Sequence, residues 1–209
     1  MTNTTSFSFL ETEIRGAYLV NPFVAEDTRG YFAKNYEKVI YRSLGFFRDI
    51  AEEFETLSAH NVIRGLHFQS RFPQDKIVRC VKGEIFDVIV DLRRESKTFQ
   101  QWRGFNLTDK NRQSLLVPHG CAHGFLVLSQ EALVSYICAG KYYKEFDTGI
   151  HWQDPGLHIE WPLDPEIPTI VSEKDQKLQL LETFLDWHGG FQANEFPDPD
   201  DAVEEGGLQ

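Results

Sequence analysis

Apolar positions along the middle of the chain fall in short runs separated by turn residues. The runs are Lys76 to Val81, Glu84 to Leu92, Gln101 to Leu107, Ser114 to Val117, Gly124 to Ser129 and Ala132 to Ala139. Between them stand Lys82-Gly83, Arg93 to Ser96, Thr108 to Asn111 and Pro118-His119-Gly120, which carry turn chemistry. Short, evenly spaced strands with few helices predict an all-β sandwich or barrel. Within Glu84 to Asp91, Phe86, Val88 and Val90 share one face, and Ile85, Asp87, Ile89 and Asp91 share the other. One face is dry and one is mixed, and a mixed inner face suits a barrel that holds a ligand. Helical spacing occurs at Tyr36 to Leu44, with Gly45 placed to end the helix, and at Gln176 to Trp187, where Leu178, Leu181, Phe184 and Leu185 recur. The apolar segment Gly16 to Val24 is interrupted at Pro22.

Composition narrows the class. The chain has 209 residues, 41% of them hydrophobic, enough for one sizeable core. A formal net charge of -11 disfavours a nucleic-acid partner, but a small anion needs only a local basic pocket. The Thr/Ser-rich start, Met1 to Phe9, lacks a basic segment followed by an apolar core, and no apolar run reaches the eighteen or so residues that span a bilayer, so a cytoplasmic protein without membrane contact is expected. Cys80, Cys121 and Cys138 lie in apolar segments without Cys-x-x-Cys spacing and read as buried, reduced thiols. Residues 1–15 read as an N-terminal extension, 16–190 as the folded domain and 191–209 as an acidic, disordered tail.

Candidate chemistry centres on Asn61 to Gln69, a strand-like run holding one guanidinium, Arg64, and one imidazole, His67. Three positions apart, the two would face opposite sides of a regular strand, and Gly65 is where a bulge could re-aim one of them. The alternative is a satisfied core histidine beside a surface arginine. Lys76 opens a strand, and Asp175 sits in the first turn of the late helix, where a cap or acidic first-turn residue is the plain expectation. Arg29 follows a turn beside Tyr31 and Phe32, fit either to clamp a phosphate or to cover a ring. His119 and His123 have a four-residue spacing, but Pro118, Gly120 and Gly124 argue against a helix that would converge them on a metal.

Taken together, these residues resemble the dTDP-4-dehydrorhamnose 3,5-epimerases, the RmlC-like cupins of nucleotide-sugar pathways. The matching text includes Asp27-Thr28-Arg29-Gly30-Tyr31-Phe32, Arg64-Gly65-Leu66-His67-Phe68-Gln69, Lys76-Ile77-Val78-Arg79-Cys80, Ala122-His123-Gly124-Phe125, Tyr142-Tyr143, Gly149 to Pro155 and Ser172 to Asp175, in one order from about Gly16 to about Leu180. The resemblance implies a jelly-roll (cupin) barrel with short N-terminal and C-terminal helices. It also implies a homodimer acting on a nucleotide-linked 4-keto sugar with no metal or redox cofactor. By resemblance His67 is the base, Asp175 orients it, and Lys76 faces the developing enolate oxygen. Arg29, Arg64, Gln69 and His123 hold substrate, and Tyr143 offers a ring to the base of the nucleotide. A proton α to a ketone becomes removable when a base sits against it and the oxygen is stabilised by a fixed donor.

Three departures from the family pattern bear on this. Inversion needs an acid opposite His67, and the strand tyrosine available is Tyr136; counting back from Tyr142-Tyr143 without a gap lands on Ile137, one residue off. Either an irregularity restores Tyr136 to the pocket or the acid is missing. Lys34 stands where a glutamate is expected, and Glu52-Glu53-Phe54-Glu55-Thr56 replaces an amide-rich stretch, which would alter the accepted base or sugar. The alternatives are a non-catalytic sugar-nucleotide-binding cupin and a mono-epimerase on a CDP- or GDP-linked 4-keto sugar.

Overall fold

The computed structural model describes residues 6–46 and 48–192. The expected disordered tail falls largely on residues 193–209, outside the described residues. Strands β1 (Ser8–Glu11), β2 (Tyr18–Asn21), the hairpin β3 (Phe23–Asp27) and β4 (Gly30–Lys34), and helix α1 (Lys38–Arg42) come first. Next come β5 (Ile50–Ala59), β6 (Val62–Gln69), β7 (Asp75–Lys82), β8 (Glu84–Asp91), β9 (Trp102–Thr108), β10 (Ser114–Val117), β11 (Cys121–Val127) and β12 (Glu131–Ala139). A 3-10 turn, Lys144–Phe146, leads to β13 (Asp147–Gly149), β14 (Ile170–Val171), α2 (Glu173–Gln176) and α3 (Leu181–His188).

Two sheets face each other. One runs β1-β2-β10-β7-β12-β5 and the other β13-β6-β11-β8-β9, with β14 added beside β6 in parallel. The all-β jelly-roll expectation matches this arrangement. Alternation sets the inside: Val78 and Cys80 of β7, Val134 and Cys138 of β12, Ile85 and Ile89 of β8, and Phe125 and Val127 of β11 form one buried cluster between the sheets. The dry face of β8 is the outer one. Val88 and Val90, with Leu66, Phe68 and Ala122, are covered by Leu181 and Phe184 of α3 and by Phe191. Phe184 is fully buried, edge-on to Phe68 at 4.9 Å, and such burial contributes about 1.5–3 kcal/mol. The outer face of the first sheet is covered by Tyr41 of α1, Phe46, Phe7 and Phe9.

Element boundaries differ from expectation in three places. The first helix is shorter than Tyr36 to Leu44, although Gly45, at φ 93°, lies where the chain leaves it. The continuous helix Gln176 to Trp187 is instead two helices. Gln179 between them bridges Ile150, and the Leu181 N–H that opens α3 donates to Asp154 Oδ2 at 2.7 Å. Helical spacing of leucines cannot show that backbone pairing interrupts the helix. The sheet also begins at Ser8, ahead of residue 16, because β1 pairs with β2, and Phe191, placed with the tail, is buried and bridges Arg93.

Candidate active site

The polar site opens at one end of the barrel, where Cys121 and Cys138 belong both to the apolar cluster and to the cavity wall. There β5, β7 and β11 begin and β6, β8 and β12 end. Glu52, Gln69, Lys76, Cys121 and Cys138, all close to those strand ends, line a cavity of about 310 Å³ together with His67, Phe54 and Tyr142.

Strand β6 is bulged where Gly65 allowed it. His67 stands opposite His123 and Arg64 opposite Phe125, so Gly65 and Leu66 together face Gly124 alone. Val62, Arg64, His67 and Gln69 therefore look inward, while Ile63, Leu66 and Phe68 join the outer clusters. Both glycines are required: a Cβ on Gly65 would lie 2.6 Å from Gly124 Cα, and one on Gly124 would lie 2.6 Å from Arg64 O. The alternative of a surface arginine is set aside, because Arg64 donates from Nε to Ser58 Oγ at 2.8 Å in the interior.

Asp175 closes on this bulge from α2. Its Oδ1 lies 2.7 Å from His67 Nε2, and its Oδ2 accepts the Gly65 N–H at 3.1 Å. Its own N–H is capped by Ser172 Oγ at 3.0 Å, so the plain first-turn expectation and the contact with His67 both hold. Burial alone would raise the Asp175 pKa. The hydrogen bond and charge of His67, the Gly65 N–H and Ser172 outweigh it and hold the carboxyl below its ordinary value. With Nε2 donating to Asp175, His67 keeps its Nδ1 lone pair for the cavity. Lys76 lines the same cavity, pairs with Cys138 across β7 and β12, and forms no ion pair among the described residues. Burial pushes the Cys138 thiol up to about 11, against the lowering effect of the Lys76 charge.

Tyr136 faces inward. Ala132, Val134, Tyr136 and Cys138 occupy the buried face of β12, whereas Ile137 packs on the outside. β12 is in even register with β7 from Val134 to Ala139, so the one-residue offset is absorbed after the strand, where Gly140 has φ 88°. The ring stacks on Phe54 at 4.7 Å and meets His123 edge-on at 6.0 Å. Burial, with the nearby Asp87 charge, raises its phenol pKa far above the usual value.

The other candidates are placed differently. His123 is 4% exposed, with Nε2 between the two oxygens of Asp87 at 3.0 and 2.9 Å, which makes it a buried pair. Burial raises the Asp87 pKa, opposed by His123 and Lys76. His119 turns to Asp75 at 2.8 Å, so the two histidines serve different carboxylates, and among the described residues no three His, Cys, Asp or Glu side chains converge as metal ligands. Gln69 braces the rim: its amide nitrogen donates to Phe72 O at 2.7 Å and Lys141 O at 3.1 Å, and its oxygen accepts the Tyr143 N–H. Those bonds use its polar atoms on backbone. Tyr143 packs against Phe72 and Phe146, away from the cavity, and Tyr142 lines it instead, with its hydroxyl 3.0 Å from Asp147. Arg29 stands at the tip of the β3–β4 hairpin, 88% exposed and paired with Asp27, outside the cavity of its own chain. Lys34 pairs with Glu37 at 2.9 Å, also away from the cavity.

Roles at or behind the cavity wall for Lys174, Asp87 and Gln74 escaped the sequence reading. Lys174, one residue before Asp175, reaches Asp147 at the rim, and Asp87 sits behind His123. The alternation of β8 had placed Asp87 on the mixed face, and Gly83 to Val88 matches the family text, but neither assigned it a partner. Gln74 donates to Glu52 Oε1 at 2.9 Å and to Gly140 O at 2.8 Å, holding Glu52 at the cavity wall. Among the described residues no helix is long and apolar enough to cross a membrane.

Comparison with known proteins follows the same line. The family model described as dTDP-4-dehydrorhamnose 3,5-epimerase matches residues 11–183. A dTDP-4-dehydrorhamnose 3,5-epimerase of Methanothermobacter thermautotrophicus is 45% identical over 175 residues, covering 84% of this chain and 95% of the relative. Among solved structures, the dTDP-6-deoxy-D-glucose-3,5-epimerase of Legionella pneumophila, in complex with dTDP-4-keto-L-rhamnose, superposes with a TM-score of 0.81 at 37% identity, covering 84% of this chain and 93% of that one. A 4-keto-6-deoxy sugar epimerase from the novobiocin biosynthetic gene cluster of Streptomyces spheroides gives a TM-score of 0.85 at 30% identity, covering 94% and 99%.

Proposed function

We propose, because the chain belongs to the dTDP-4-dehydrorhamnose 3,5-epimerase family, that it inverts C3, C5 or both of a nucleotide-linked 4-keto-6-deoxy sugar by proton removal and return. The chain is an isomerase of deoxysugar biosynthesis. The observation that carries the residue roles is the His67–Asp175 pair opening into the same cavity as Lys76.

His67 Nδ1 takes the proton from the carbon α to the ketone; the C–H electron pair moves into the enolate, and Lys76 donates to the oxygen that becomes negative. Asp175 fixes the tautomer and steadies the imidazolium, as a buried acceptor held ionised can. Return of a proton from the His67 side restores the starting configuration, and return from the opposite side inverts it. Tyr136 is the acid we assign to that side, with Arg64 and Asp87 the charges around it. Tyr142 offers its half-exposed ring, and Lys174 its charge, to the nucleotide end.

A second copy completes the site in this proposal. The hairpin β3–β4 exposes Arg29, Tyr31 at 55% and Phe32 at 58%; Arg29 pairs with Asp27, and Tyr31 lies under the Arg112 guanidinium at 4.1 Å, none of them lining the cavity of their own chain. Placing Arg29 at a partner's diphosphate makes the protein a homodimer, measurable by light scattering. Arg29→Ala then raises KM more than it lowers kcat. The reaction itself is tested in D₂O with dTDP-, CDP- and GDP-linked 4-keto-6-deoxy sugars. Deuterium should enter at C3 or C5 and His67→Ala should abolish its entry; no exchange with any of them rejects the proposal.

A further inference from the structure

We propose that Phe54 is a specificity-determining residue that screens Tyr136 from the cavity, so that proton exchange outruns inversion until its ring moves aside. The inference rests on the epimerase reading above and deepens it.

Phe54 and Tyr136 are register partners on β5 and β12, and their rings lie nearly flat on each other, 4.7 Å apart at 15°. Only one of them meets the cavity. Phe54 is among the lining residues and 42% exposed, whereas Tyr136 is 6% exposed and absent from the lining. Where Tyr136 could reach the cavity, the wall is therefore a phenyl ring, which carries no proton to give. Behind it, the Tyr136 hydroxyl is desolvated and beside Asp87, both of which disfavour its ionised form. An enolate formed by His67 consequently meets a ready proton on one face and an apolar ring on the other.

The screen can move. Among the described residues β5 is the edge strand of its sheet, with β12 as its one sheet neighbour, and the β5–β12 ladder is irregular between Cys138 and Ala139. An edge strand loses fewer backbone bonds on shifting than a central one. Substrates whose bulk at the reacting carbon displaces Phe54 are inverted, and those that leave it in place are mainly exchanged. Discrimination through one ring in an apolar contact is modest, of order ten- to two-hundred-fold.

The test measures two rates in one reaction: deuterium entry from D₂O into dTDP-linked 4-keto-6-deoxyglucose, and appearance of the inverted sugar by proton NMR. Their ratio does not depend on how much protein is folded. For the unaltered chain, exchange should exceed inversion several-fold. Phe54→Asn, which removes the apolar face, should raise the inversion-to-exchange ratio at least about ten-fold, the low end of the range for one apolar contact. Phe54→Leu, which keeps bulk and loses the flat stack, should fall between. Adding Tyr136→Phe to Phe54→Asn should erase the gain, which a general loosening of the site would not do. A ratio near one in the unaltered chain, or a ratio unmoved by Phe54→Asn, overturns the inference while leaving the epimerase reading intact. Absence of exchange at every carbon of the dTDP-, CDP- and GDP-linked sugars alike instead removes the epimerase reading, and the inference with it.

Discussion

His67 and His123 sit directly opposite each other on β6 and β11, and each is bonded to an aspartate. They are nevertheless different chemical objects. The His67 side chain is 31% exposed and its partner 5%, with Asp175 also held by Gly65 and Ser172; the His123 and Asp87 side chains are 5% and 0% exposed. The shifts of the two carboxyls have opposite signs, lowered for Asp175 and raised for Asp87. A well-solvated ring with a firmly ionised partner can cycle its proton, whereas a sealed pair with a reluctant carboxylate is a brace for the wall behind Tyr136. Access and the number of donors around the carboxylate, rather than residue type, make the distinction.

Four experiments sharpen this contrast, from the largest effect to the smallest. His67→Gln should cut deuterium exchange by about 10³-fold, the scale of a lost general base, with thermal stability nearly unchanged. Comparable exchange in the variant would move the base elsewhere. Asp87→Ala should do the reverse in kind: stranding His123 in the core costs about 3–5 kcal/mol, readable as a lower urea midpoint at unchanged slope. A variant as stable as the parent would show the buried pair is no brace. Asp175→Asn should lower exchange by about 10²-fold through loss of tautomer control and imidazolium stabilisation, with KM little altered. An effect on KM alone would make Asp175 a substrate contact.

The smallest effect is in acid. Because the Asp175 carboxyl is lower in the fold than its unfolded value of about 3.9, its stabilisation is full above that pH and is lost as pH falls through the folded value. The raised Asp87 value acts the other way: its protonated form is favoured in the fold, and that contribution fades as pH rises through the folded value. Stability of Asp175→Asn should therefore fall less steeply than that of the parent below pH about 4, whereas Asp87→Asn should lack the gain the parent makes above pH about 4, as pH falls through the raised folded value of Asp87. Parallel acid limbs in urea melts would contradict both assignments.

Legibility in the sequence followed the range of the interaction. The six central strands were visible because alternation is local, and so was the bulge, since one glycine between Arg64 and His67 was the only place for it. The position of Asp175 at a first turn was equally local, but its bond to His67, 108 residues earlier in the chain, came from resemblance alone. The late helix was misjudged because its leucines kept helical spacing through a segment whose backbone pairs with Ile150. Tyr142 and Tyr143 were indistinguishable as neighbours; the Tyr143 N–H bond to Gln69 turns Tyr143 outward and leaves Tyr142 at the cavity.

By itself the sequence determined the central strands, the mixed inner face and the set of residues from which a base, a donor and an acid could be drawn. Only the tertiary structure decided which of two aspartate-bound histidines is reachable, that Gln69 is spent on the rim, that Arg29 lies outside its own barrel, and that Phe54 covers Tyr136. The first group follows from backbone periodicity, which each segment carries within itself. The second depends on desolvation and partner count, which exist once segments far apart in the chain have closed around the same space.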